Sequence, residues 1–471
     1  MFIGRKEELN FLEERISSHR FEMIPIYGRR RVGKTRLLEE FTKDKETIFF
    51  TANQFGEQAN LESLSEAIDA TLKPDSEGSI YSSFEKAFVS ISNYVKNKTT
   101  PFIFVIDEYP YLAQSSSGVS SILQKVIDKQ YLKLPNFMVI LTGSQLSFMQ
   151  HQVLGYQSPL YGRRTGQIRL LPLNFEESSA LLPSFSLPDM LTIYGLTGGI
   201  PLYLSMMEDK LSLKENICRH LLKRNSLLYE EPLNLLLQEV RTPNRYNDIL
   251  SAIASGATEM NKIMDKAKLE SAAVSQCLTT LIDLHIVEKI MPLTEIGKRK
   301  PIYKIKDGLF HFWHRYVPKY QRFIESGRLE AVWSRIEEDL IQFTSLVFED
   351  FCREWLLLNS SILLQEVGGW WGNNPLIKNS KATAEEVDII GLGLEKEELV
   401  IGECKWRNEK TDIGIGEKLV ERSKFFPYLK KDLYIFSKSE FTEGLISYAK
   451  THGIKLVRFE EMINSKKEQK T

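Results

Sequence analysis

Cysteine is scarce: four residues among 471, Cys218, Cys277, Cys352 and Cys404, are scattered too widely for a disulfide framework. None forms a Cys-x-x-Cys pair or has a histidine at ligand spacing, so no structural zinc site is expected either. Neither sign of charge is in excess. Lys+Arg 61 against Asp+Glu 62 leaves a formal net charge of -1, which excludes a histone-like polycation and an acidic solvating tail but permits local basic patches. No run approaches about eighteen uninterrupted apolar residues, so no membrane span is expected. The opening MFIGRKEEL carries charge where a signal peptide needs an apolar core, and a reducing cytoplasm is the expected location. Internal repeats and low-complexity linkers are missing too, so domain boundaries must be read from changes of pattern.

The chain is too long for one ordinary core. From Phe2 to about Pro201, β-type runs such as EMIPIYG, ETIFFTAN, PFIFVIDEY, NFMVILTGS and QIRLLPL alternate with helical periods, the signature of a parallel sheet covered by helices. The expected class is therefore multidomain α/β, with a P-loop-type core over 1–200 and a helical lid or connector over 201–240. Three helical periods and a turn-rich β-type run over 241–310 describe a winged helix. A helical linker is expected over 311–340 and a second α/β domain over 341–471. The winged-helix stretch is the natural duplex reader, with SAAVSQCLTTLIDLH as recognition helix and GKRKPIYK as wing. Across 236–310, however, 11 Lys+Arg face 9 Asp+Glu, so a packing role for the segment is an equal alternative.

Gly28-Arg29-Arg30-Arg31-Val32-Gly33-Lys34-Thr35 fits G-x-x-x-x-G-K-[ST] and lies between a strand and a helix. Its glycines let backbone N–H groups wrap phosphates, Lys34 reaches the β/γ oxygens, and Thr35 supplies a Mg²⁺ ligand, so ATP with Mg²⁺ is the expected cofactor pair. FIFVIDEY ends in Asp107, placed to hold Mg²⁺ through water, and Glu108, placed to polarise the attacking water. Thr142 and Ser144 end the next strand, where a hydroxyl can sense the γ-phosphate.

FIGRKEEL, YGRRRVGKTRLLEEF, FIFVIDEY, VILTGSQLSFM, PLYGRRTGQIRLLPL and LTGGIPLYL, in this order, resemble the archaeal-type ATPases of the AAA+-related STAND group. The resemblance covers nearly the whole chain, since members commonly append a winged helix and a C-terminal domain similar to PD-(D/E)XK nucleases. It implies that Phe2, Ile3 and Gly4 border the adenine, that Gly199-Ile200-Pro201 closes the nucleotide from the lid side, and that Glu108 is the catalytic glutamate. It also makes Arg163 or Arg164 the candidate arginine for the γ-phosphate, with a surface ion pair as the plain alternative. An arginine supplied across an interface would make the active ATPase a homo-oligomer.

Asp388 lies in the β-type run EEVDII, and ELVIGECKW places Glu403 and Lys405 on one face of another strand with Cys404 turned to the core. Two carboxylates can hold Mg²⁺ while the lysine acts on a water attacking a phosphodiester. Glu385 and Glu386 are alternative acidic ligands. By resemblance, Glu349 matches the acidic helix residue of the same nuclease superfamily. Trp370-Trp371 is expected in the core, and His311 and His314, without carboxylate or cysteine partners, are expected at an interface. Two function classes follow: an ATP-driven nuclease acting on nucleic acid, DNA first, and a regulatory ATPase whose C-terminal domains bind DNA or another partner without cleavage.

Overall fold

The computed structural model describes residues 2–72, 80–294, 296, 300–377 and 384–468. The chain divides into two compact units, 1–181 with 199–205, and 182–198 with 206–471.

In the first unit β1 (Glu22–Tyr27), β2 (Glu46–Thr51), β3 (Phe102–Asp107), β4 (Phe137–Gly143) and β5 (Ile168–Arg169) form one sheet in the order β2-β3-β4-β1-β5, with every pairing parallel. Both faces are covered. In β3, Phe102, Phe104 and Ile106 enter a core with Phe88, Ile91, Leu123 and Ile127, while Ile103 and Val105 meet Leu12, Ile16, Leu37 and Phe41 on the opposite side. The two-residue period of a strand thus feeds two cores, and for this reason FIFVID reads as unbroken apolar sequence until its last residue.

The second unit begins with helix Leu187–Thr197, and it carries three helices, Pro243–Ala254, Met260–Ala267 and Ser271–Asp283, followed by an antiparallel hairpin of β6 (Val287–Ile290) and β7 (Ile302–Ile305). Their apolar faces share a core that includes Ile249, Ile263, Leu278, Leu281 and Ile305. Beyond the hairpin, helix Gly308–Glu325 is followed by the 31-residue helix Leu329–Asn359. No break occurs near position 340, where the linker was expected to end. Buried Val332, Trp333, Ile336, Leu340, Phe343, Phe348, Phe351 and Trp355 repeat at threes and fours across that position, and one continuous apolar stripe makes one helix. Helix Leu187–Thr197, expected with the nucleotide core, belongs instead with the long helix: Thr192 and Thr344 are hydrogen-bonded at 3.0 Å, and a β-carbon on Gly195 would collide with Val347. Gly308 is needed where it stands, because a β-carbon there would lie 1.6 Å from the Gly195 carbonyl oxygen.

The C-terminal sheet has the order β12-β11-β10-β9-β8, formed by β8 (Leu364–Asn373), β9 (Ala384–Gly393), β10 (Glu398–Lys405), β11 (Lys430–Ser437) and β12 (Ile454–Arg458). The pairs β8/β9 and β9/β10 are antiparallel, and β10/β11 and β11/β12 are parallel. Trp370 is fully buried against Phe425 and Phe426, in the core as expected. Its indole N–H donates to the Ile296 carbonyl at 2.8 Å, and the Leu293 N–H donates to the Gly369 carbonyl, so the residues after β6 dock on the edge of this sheet. Gly297, Lys298 and Arg299 of the expected wing lie outside the described residues.

Candidate functional sites

The sequence puts a phosphate loop between β1 and helix Lys34–Thr42, and the fold gathers its partners around it. Gly33 has φ +91°, a left-handed conformation suited to glycine, and a β-carbon on Gly28 would lie 2.4 Å from the Leu170 carbonyl oxygen. The Lys34 ammonium, 6% exposed, donates to the carbonyls of Gly28 (2.9 Å) and Arg29 (3.1 Å). Burial pulls it below its ordinary pKa, against the charges of Glu108 and Asp107.

Thr35 Oγ1 donates to Asp107 Oδ2 at 3.0 Å, bringing the expected Mg²⁺ pair together although 72 positions separate the two residues. Glu108 follows at φ +53°, a backbone geometry that costs a non-glycine residue free energy and is frequent at active sites. Its Oε2 accepts from Ser144 N (3.2 Å) and Ser144 Oγ (2.9 Å), and Thr142 donates its hydroxyl to Asp107. The strand-end hydroxyls therefore hold the two carboxylates in place. Pro201 comes to the loop as well, its Cγ 3.9 Å from where a Gly33 β-carbon would stand.

Arg30 donates to the Tyr111 hydroxyl at 2.7 Å. Arg163 grips Asp128 with Nε (3.1 Å) and Nη2 (2.9 Å), and Arg164 binds Gln167, so among the described residues neither arginine bonds to Lys34 or Glu108. Arg5 went unnoticed in the sequence. Buried in left-handed backbone, it donates to the Val32 carbonyl of the loop (3.2 Å) and to the Leu171 carbonyl after β5 (2.6 Å), tying the N-terminal segment to the phosphate loop.

In the C-terminal sheet, β9 and β10 bring Asp388 beside Glu403 and Lys405. Lys405 Nζ lies 2.9 Å from Glu403 Oε2 and 3.4 Å from Asp388 Oδ2, which also accepts from Cys404 N at 2.8 Å. Burial works against the Lys405 charge, but Glu403 and then Asp388 outweigh it and hold the ammonium above its ordinary pKa. Cys404 turns into the core beside Cys352.

Glu349, on the long helix, is pushed up to about 7 by burial and then by the Asp388 charge. Arg353, one turn further, contacts Glu349 Oε2 (3.1 Å) and donates to the Asp388 carbonyl (2.7 Å). Arg422 reaches Glu403 Oε1 from helix Ile413–Ser423 and binds Glu385 at 2.9 Å. Glu385 is thereby a partner of Arg422, while Glu386 is exposed. Neither arginine belongs to the D…E-x-K pattern. Among the described residues no group of three His, Cys, Asp or Glu is arranged to hold a metal ion. His314 is buried and His311 half-buried in the second unit, and no described helix is long and apolar enough to cross a membrane.

Comparison with known proteins accords with this geometry. Residues 2–207 match the family described as an ATPase domain predominantly from Archaea, and residues 313–415 match archaeal and bacterial proteins of unknown function. An uncharacterised protein of Methanocaldococcus jannaschii is 31% identical over 416 residues, 87% of this chain and 88% of its own length. An uncharacterised ATP-binding protein of the same organism is 51% identical over 45 residues, 10% of this chain and 76% of that protein. Among solved structures, the Walker-type ATPase of Pyrococcus abyssi superposes with a TM-score of 0.51 at 22% identity, covering 67% of this chain and 96% of that one, a likeness of fold. A parallel sheet with the loop glycines, Lys34, Thr35 and Asp107 gathered at one end accords with a P-loop ATPase domain. The chain belongs to the archaeal P-loop ATPase family marked by this N-terminal domain, and it is an ATPase.

Proposed function

We propose that ATP binding and hydrolysis in the first unit switch a metal-dependent, nuclease-like site in the C-terminal sheet that acts on nucleic acid, DNA first. The observation that carries this reading is the meeting of Asp388 and Glu403 at the Lys405 ammonium. The order of long helix, β8, β9, β10, helix and β11 supports a PD-(D/E)XK-like core, and the three helices with their hairpin support a winged helix.

At the nucleotide, Lys34 neutralises phosphate charge, and Thr35 with Asp107 would hold Mg²⁺ through their adjacent oxygens. Glu108, oriented by Ser144, accepts the proton of the attacking water. Gly199-Ile200-Pro201 closes over the phosphate loop. Arg163, with Arg164 beside it, serves the γ-phosphate of a neighbouring subunit once Asp128 releases it, so ATPase rate per subunit rises with protein concentration. Mixing Arg163→Ala with Glu108→Gln chains then restores activity, because each supplies what the other lacks. A rate per subunit that stays flat on dilution refutes the shared site.

In the C-terminal sheet, Asp388 and Glu403 fit a Mg²⁺ or Mn²⁺ ion in number and chemistry, since such ions commonly take one or two carboxylates and complete their shell with water and phosphate oxygens. The ion would supply Lewis acidity at a phosphodiester. Lys405 orients the water, and Glu349 faces Asp388 from the long helix. The test is thermal unfolding of the full chain with and without Mn²⁺, beside cleavage of single- and double-stranded DNA and RNA. Mn²⁺ raises the midpoint of the parent chain, Asp388→Asn abolishes the shift, and Lys405→Ala keeps the shift while cleavage falls. Equal shifts in parent and Asp388→Asn remove the metal site. Metal binding without cleavage in any nucleotide state replaces the nuclease by a regulatory ATPase that binds its partner uncut.

A further inference from the structure

The second unit contains a cavity of about 1020 Å³ whose wall touches the C-terminal site at Glu349 and Arg353 and otherwise extends away from it. Its walls come from the β6–β7 hairpin, helix Gly308–Glu325 and helix Leu329–Asn359. We propose that this cavity binds a nucleotide-sized organic phosphate.

Size and lining are the first support. The volume lies at the upper end of ligand sites, which mostly span about 300 to 1,000 Å³ and are lined by apolar and aromatic groups with a few polar ones. Ile253, Ile305, Phe343 and Val347 supply apolar wall here.

Charge gives the second support. Of the cations on the wall, Arg315 is held by Asp339 and Arg353 by Glu349 and Asp350. Lys304, Lys306 and Arg335 have no ion-pair partner among the described residues, and Lys304 is half-buried. Unpaired ammonium and guanidinium groups around a hollow are the recognition chemistry of phosphate. Glu288 stands across from Lys304 in the hairpin, and burial and then Asp350 raise its pKa.

The third support is an orphaned polar atom. His314, 5% exposed, shares Nδ1 with Ser251 Oγ at 3.2 Å, while its Nε2 has no hydrogen-bond partner among the described residues. Buried polar atoms rarely stay unpaired. Burial pushes His311 down to about 4 and His314 down to about 3, so both rings are neutral at pH 7 and can pair with the edge of a base. Phosphate to the cations and base to the imidazoles is the division a nucleotide needs.

The experiment uses the full chain carrying Lys34→Ala, which removes the phosphate-loop lysine, and calorimetric titration with the four nucleoside 5′-monophosphates, inorganic phosphate and a short single-stranded oligonucleotide. At least one monophosphate binds at one per chain, and Lys304→Ala with Lys306→Ala weakens it about tenfold or more, the size expected for losing hydrogen bonds to charged groups. Arg335→Ala, at an exposed position, weakens it in the same direction. Unchanged affinity in these variants, no monophosphate binding, or phosphate alone binding as tightly overturns the site. Binding of the oligonucleotide alone overturns it too, and assigns the cavity to a nucleic-acid strand.

Discussion

Glu108→Gln leaves ATP bound as tightly as in the parent chain and lowers its hydrolysis by about a hundredfold or more, the loss expected when a general base is removed. In the proposed site, ground-state contacts come from Lys34 and the loop, whereas the Glu108 carboxylate acts only once the water begins to attack. The amide keeps the side chain's shape and its bond from Ser144, so the change isolates proton acceptance. Lys34→Ala has the complementary outcome, loss of tight ATP binding itself. Equilibrium binding of a fluorescent ATP analogue and single-turnover hydrolysis, run side by side, separate the two effects. Undiminished hydrolysis by Glu108→Gln removes the residue from its role.

Arg422→Leu destabilises the C-terminal sheet by about 3 kcal/mol or more, the usual result of removing one partner from a buried ion pair. Glu403 is 3% exposed and relies on two cations, Lys405 at one carboxylate oxygen and Arg422 at the other. Without Arg422, one oxygen of a buried carboxylate loses its charged partner, and Glu385 loses its partner as well. The double change Arg422→Leu with Glu403→Gln recovers part of the loss, since the stranded charge is then gone. Urea unfolding followed by tryptophan fluorescence measures both. A single variant as stable as the parent chain shows that Arg422 is dispensable.

The nucleotide site was legible because its chemistry sits in contiguous strings. GRRRVGKT and VIDEY each lie at a strand end, and the all-apolar strands announced the sheet that aligns them. Glu403 and Lys405 were legible through strand alternation. Arg5, Arg353 and Arg422 were not, because each is brought to its carbonyl or carboxylate by packing between segments far apart, and no local spacing marks them. Arg163 was read from a short motif, which says nothing about Asp128 standing 35 positions away. The boundary expected at 340 falls inside one helix, because the apolar stripe on its buried face runs on through that position.

The chain passes from the first unit into the second at Leu182, returns at Gly199 and leaves again at Met206. Helix Leu187–Thr197 is therefore tethered to the Gly199–Pro201 segment by a few peptide bonds, and four residues of extended chain span at most about 14 Å. One end of that tether is Pro201, beside Gly33 of the phosphate loop; the other is a helix clasped to the long helix through Thr192 and Gly195. The long helix runs about 46 Å at a rise of about 1.5 Å per residue and carries Glu349 and Arg353. Glu349 and Arg353 therefore ride on the same stiff rod that clasps helix Leu187–Thr197.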